Sequence, residues 1–79
     1  MTALEKNKIN TLARVLKNEE SVEFKHNGFF YDVFESSDSG YIVNVYSSDE
    51  KDDNQYIEAN LIDGRLCTGG AKDAIEFML

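Results

Sequence analysis

In the stretch TALEKNKINTLARVLKN, residues 2–18, apolar side chains recur at helical intervals. Leu4, Ile9, Leu12, Val15 and Leu16 fall roughly on one stripe, and Lys6, Lys8, Arg14 and Lys17 lie largely elsewhere. This pattern predicts an amphipathic helix with one buried face. Thr2 and Glu5 form a capping box at its start: the Thr2 side chain accepts from the Glu5 amide, and the Glu5 carboxylate accepts from the Thr2 amide. Asn18 is the expected stop.

The period then falls to two. SVEFKHNGFFYDVF reads as a β-hairpin, because Asn27-Gly28 supplies the two positive φ angles of a type I′ turn. That turn sets the register: His26 faces Phe29, Phe24 faces Tyr31 and Val22 faces Val33 on one side of the sheet. Glu23, Lys25, Phe30, Asp32 and Phe34 take the other side. A five-residue loop, SSDSG, leads to YIVNVY with Glu35 opposite Tyr41, so that Tyr41, Val43 and Val45 join the first face and mark it as the core. On the second face Phe34 falls beside Ile42, Asp32 beside Asn44 and Phe30 beside Tyr46.

QYIEANLI alternates well enough for a fourth strand, with Ile57, Ala59 and Leu61 on one side, and Asp63-Gly64 marks a second tight turn. RLC is a strand end. TGGAKDAIEFML reads as a capped terminal helix with Ala71, Ala74, Ile75, Met78 and Leu79 inward. The expected fold is α+β, one domain over residues 1–79. It is a four-stranded, mainly antiparallel meander with an N-terminal and a C-terminal helix, in the order α-β-β-β-β-α.

Composition adds three constraints. A hydrophobic content of 42 %, five Phe, four Tyr and no proline in 79 residues suit a compact domain near the lower size limit for a single core. The lone Cys67 excludes an internal disulfide and suits a reducing compartment, and no apolar run approaches the roughly 20 residues of a membrane span. The N-terminal stretch has no long apolar core of the kind a secretory signal carries. A cytoplasmic location is expected. Fifteen acidic residues against eight basic ones give a net charge of −7, which would repel a phosphate backbone, so direct nucleic-acid binding is disfavoured. Four of those basic residues sit on the first helix, leaving the remainder strongly acidic.

Candidate chemistry is sparse. His26 is the sole imidazole and Cys67 the sole thiol, each without a nearby partner at ligand or catalytic spacing. CTGGAKD places two glycines before a helix, but its spacing is not that of a phosphate-binding loop and Asp73 would repel an anion. SSDEKDDNQ, residues 47–55, lacks the central glycine and the bidentate glutamate of a calcium loop. No metal or cofactor is expected. Two surface features remain. Asp49, Glu50, Asp52 and Asp53 form an acidic loop suited to a basic protein surface or simply to solvent. Phe30, Phe34, Ile42 and Tyr46 form an apolar stripe on the second face, bordered by Asp32 and Glu35. One helix on each face would make the stripe core; two helices on the first face would leave it as a surface for a partner or for a homodimer.

Residues 29–79 resemble in outline the HicB-type antitoxins, whose strand, Gly-Tyr, strand, Cys-x-x-Gly and Ala-rich helix order is similar to Gly40-Tyr41, Cys67, Gly70 and AKDAIEFML. Where that family carries a proline-containing segment after its third strand, this chain has the acidic loop. The size, the acidity and the ending CTGGAKDAIEFML are also similar to small accessory proteins of phages and prophages, which often occupy a host protein and sometimes mimic nucleic acid. These resemblances imply a non-enzymatic inhibitor or antitoxin-like module that binds a basic host protein. The alternative is a small ligand-binding or catalytic domain built on His26 and Cys67.

Overall fold

The computed structural model describes residues 6–37 and 39–79. Helix α1 spans Lys6–Glu19 and stops where Glu20 takes a left-handed φ of 67°. The capping box of Thr2 and Glu5, and Leu4, lie outside the described residues. Ile9, Ala13 and Leu16, at positions i, i+4 and i+7, form the buried line, with Leu12 beside it. Val15 departs from the expected stripe and is exposed, because it lies about 100° around the helix from Leu16.

Strands β1 (Ser21–His26), β2 (Phe29–Glu35) and β3 (Tyr41–Tyr46) form the meander in the register set by the first turn. His26 pairs with Phe29, Phe24 with Tyr31, Glu35 with Tyr41 and Phe30 with Tyr46. Asn27 and Gly28 have φ of 52° and 81°, the two positive angles that a type I′ turn needs. The Phe24 and Tyr31 rings stack across the pair at 4.9 Å.

The next segment differs from expectation. Residues 47–55 do not form an open loop: β4 (Lys51–Asp52) and β5 (Gln55–Tyr56) make a short hairpin through Asp53 and Asn54, both at positive φ. A single 3-10 turn at Glu58–Asn60 then replaces most of the expected fourth strand. The strand that completes the sheet is β6, Leu61–Cys67, antiparallel to β3. Asp63-Gly64 therefore runs through mid-strand instead of turning. Gly64 lies opposite Asn44, and a Cβ there would come 2.5 Å from Asn44 Oδ1, so the glycine leaves room for the Asn44 side chain to lie over the strand. Asp63 supplies a local acceptor for the Gly64 amide at 2.8 Å.

Helix α2, Ala71–Glu76, starts with the Asp73 carboxylate accepting from the Gly70 amide at 3.1 Å. It buries Ala71, Ala74 and Ile75, with Met78 packed against the core. Leu79 lies beyond the helix and is exposed, unlike its expected inward placement.

The sheet order is β1-β2-β3-β6, all neighbours antiparallel, which gives the α-β-β-β-β-α fold with the small hairpin inserted before the last strand. Leu16 of α1 and Ile75 of α2 join Val33 and Val43 in one cluster, so both helices cover the same face. Each such side chain contributes roughly 1.5–3 kcal/mol by leaving water.

Two glycines separate conformational cost from contact cost. Gly28 and Gly40 share a φ of 81°, yet a Cβ on Gly28 meets open space, whereas one on Gly40 would lie 2.3 Å from the Cys67 carbonyl oxygen. Gly28→Ala should destabilise by about 1 kcal/mol, the cost of a left-handed alanine, and Gly40→Ala by clearly more. Urea unfolding of the two variants measures the difference, and equal losses would count against this placement of Gly40 on β6.

Candidate functional site

Alternation along the strands sends Phe30, Asp32, Phe34, Ile42, Asn44 and Tyr46 to the sheet face away from the helices. The β4–β5 hairpin lies against part of that face. Its Tyr56 ring sits 4.9 Å from the Tyr46 ring and 6.2 Å from that of Phe30. Lys51 holds the hairpin to β1: its Nζ lies 4.8 Å from the centre of the Tyr56 ring and forms a salt bridge with Glu23 Oε1.

The predicted stripe is thereby divided. Tyr46 is 8 % exposed and Phe30 half-buried near Tyr56, while Phe34 and Ile42 remain partly open beyond the hairpin. Exposed Leu66 of β6 stands opposite Ile42 and extends the open end. Neither helix covers this face. The part that is covered owes its cover to a tyrosine that the sequence reading placed in an ordinary strand. Asp53-Asn54 between Lys51 and Tyr56 was the available signal, a turn dipeptide that tolerates two positive φ angles.

A groove of about 440 Å³ opens between hairpin and sheet, lined by Ser21, Glu23, Asp32, Phe34, Asn44, Tyr46 and Gln55. Asp32 is the half-buried acid of its wall. Burial, and then the neighbouring Glu23 charge, push the Asp32 carboxyl above its ordinary value, and the Lys51 cation only partly opposes them. The Tyr46 hydroxyl is also pushed up, first by burial and then by Asp32, against a hydrogen bond from the Asn44 side chain. Burial and Glu23 do the same to Tyr56. The groove thus concentrates negative charge beside aromatic rings.

Asp49, Glu50, Asp52 and Asp53 are all exposed on or next to the hairpin, outside this groove. Among the described residues no three His, Cys, Asp or Glu side chains are grouped so as to hold a metal ion. On the opposite, helical side, Arg14, Lys17 and Lys72 line a second groove of about 440 Å³ between α1 and α2. Basic side chains therefore gather around this groove, while the hairpin side is acidic.

His26 and Cys67 are both buried on the helix-covered side, but they do not meet. His26 ends β1 at one border of the sheet, and Cys67 ends β6 at the other. Three strand spacings, or about 14 Å, separate those borders before the offset along the strands is added. No helix among the described residues is long and apolar enough to cross a membrane. Comparisons with family models, with curated proteins and with solved structures find no match to this chain.

The raised Asp32 carboxyl has a definite pH signature. Above its ordinary value of 3.8 the unfolded chain gives up this proton before the folded one does, so folding loses stability as pH rises through the window. Asp32→Asn should raise the melting temperature at pH 7, and the gain should vanish as the pH falls below about 4. Melting curves of both proteins between pH 3 and pH 7 test this; a variant less stable than the parent at pH 7 would show that the carboxylate is compensated.

Proposed function

We propose that this chain is a protein-interaction module whose hairpin side binds a basic protein partner, with one Arg or Lys side chain of that partner entering the groove at Asp32. The observation that carries the reading is a half-buried carboxylate made unfavourable by burial and then by Glu23, in an open groove beside two aromatic rings. A guanidinium placed there would pair with Asp32, donate to the Asn44 and Gln55 side-chain carbonyls and lie against Phe34 or Tyr46. Such a cation relieves a cost already present in the free protein. That makes the groove an anchor and the surrounding surface a guide.

The guide is the hairpin. Asp49, Glu50, Asp52 and Asp53 project charge that attracts a basic surface over a Debye length of about 8 Å at physiological salt. A partner surface that normally holds nucleic acid has the complementary chemistry, and a phage or prophage inhibitor or antitoxin-like protein that occupies such a surface fits this arrangement. The role is binding, without a cofactor, at a host protein in the cytoplasm.

Two measurements separate anchor from guide. Short peptides carrying Arg or Lys, titrated while the Asn44 and Gln55 side-chain amides are followed by NMR, should shift those signals in the parent. Asp32→Asn should weaken the best peptide by about tenfold, equivalent to ~1.4 kcal/mol. Equal affinities, or shifts confined to other residues, would sink the anchor. Replacing the four hairpin acids with Asn or Gln should instead leave folding unchanged, slow association and flatten its salt dependence. If rates and salt slopes match those of the parent, the hairpin charge serves solubility alone.

A further inference from the structure

The last strand of the sheet is self-complementary. β6 pairs with β3 along one side, and among the described residues no strand pairs with its other side. Its side chains are unusually apolar for an open border: Leu61, Ile62 and Leu66 are 40 %, 53 % and 46 % exposed. The opposite border is protected, since β1 carries Glu23 and Lys25 on its open face and is crossed by the Lys51 bridge from the hairpin. β6 has one such protection, a bulge at its Leu61 end, beyond which residues 63–67 follow a regular ladder.

Read outward from Gly64, the strand runs Ile62-Asp63-Gly64-Arg65-Leu66, an apolar, acidic, glycine, basic, apolar series. Its reverse is its chemical complement. Two copies paired antiparallel about Gly64 place each Asp63 opposite the other copy's Arg65, and bring each Ile62, the residue at the bulge, toward the other copy's Leu66. Gly64 meets Gly64 at the two-fold axis, where neither copy has a side chain to clash. Within one chain Arg65 Nε already lies 3.2 Å from Asp63 Oδ2, so the two charges share a side of the strand and extend together into an alternating row of four. Ile62 and Leu66 would continue the open end formed by Phe34 and Ile42, since Leu66 stands beside Ile42.

We propose that β6 is the interface of a symmetric homodimer, in which the two four-stranded sheets join into one eight-stranded sheet. The occupant is a second copy because the complementarity is internal to the strand: a foreign strand has no reason to carry the same series reversed. This surface is distinct from the groove at Asp32. A regular ladder from Asp63 to Arg65, extended on each side by Leu66 and the bulged Ile62, belongs among small interfaces, so the dimer should be concentration-dependent and not obligate.

Sedimentation equilibrium from about 1 µM to 1 mM chain should show the parent passing from monomer to dimer. Arg65→Asp leaves two acids on each strand and Asp63→Arg leaves two bases, so each variant alone should remain monomeric over this range. Mixed in equal amounts, the two variants should form a heterodimer, and the double variant Asp63→Arg with Arg65→Asp should dimerise like the parent. Circular dichroism and melting curves check that every variant is folded; if Asp63→Arg unfolds, the pair Arg65→Asp and Ile62→Lys replaces it, both expected as monomers. A parent that stays monomeric at 1 mM overturns the proposal and leaves the edge to a strand from another protein. Single variants that dimerise as well as the parent also overturn it, placing the contact on another surface.

Discussion

The tight turn at Asn27-Gly28 governs what every later strand can do. Because side chains alternate sides with a period of two, a slip of one residue in this hairpin would put Glu23 and Asp32 against the helices and Phe24 and Tyr31 in water. The positive φ angles of Asn27 and Gly28 remove that ambiguity locally, before any long-range contact forms. β3 then inherits its phase from β2, and β6 from β3. The buried cluster of Val22, Phe24, Tyr31, Val33, Val43 and Val45 on one face, and the acid-bordered aromatic stripe on the other, are two consequences of that single register.

One face is all that the helices can cover. α1 has 14 residues and α2 has six, and α1 packs on β1 and β2 while α2 packs on β3 and on α1. The second face carries large rings with no helix to receive them. The chain resolves this with the cheapest cover available, a six-residue hairpin whose Tyr56 lies on Tyr46 and Phe30. Such a small cover buries one end of the stripe and walls in Asp32 without giving it a dedicated counter-charge. The unfavourable carboxylate and the open apolar end thus share a cause: among the described residues the hairpin alone covers this face.

The parts of this arrangement that were legible in the sequence are those fixed by local chemistry. The two turn residues after His26, the alternation through Phe34 and the amphipathic spacing from Ile9 to Leu16 each specify geometry within a few residues, and the structure follows them except at exposed Val15. Asp63-Gly64 misled because its local signal is real but overruled. Asp63 does accept from the Gly64 amide, yet the segment pairs with β3, and Gly64 makes room there for the Asn44 side chain. Tyr56 and Lys51 were illegible for the opposite reason. Their importance comes from contacts with Tyr46, Phe30 and Glu23, between 10 and 28 positions earlier in the chain, which no local pattern announces.

Within the hairpin, cover and charge reside on different residues. Lys51 and Tyr56 form a cross-strand pair turned toward the sheet, where one bridges to Glu23 and the other stacks on Tyr46. Asp49, Glu50, Asp52 and Asp53 take positions that these contacts do not use, and all four are exposed. Exposed charges in such places contribute little to stability, and four of them near one another repel. A hairpin selected only as cover would do as well with Ser, Thr or Asn at these sites. The helices carry Arg14, Lys17 and Lys72 around their own groove, together with exposed Glu19, Asp73 and Glu76. The proposed recognition of a basic surface would draw on this grouping of four acids on the element that also walls the Asp32 groove.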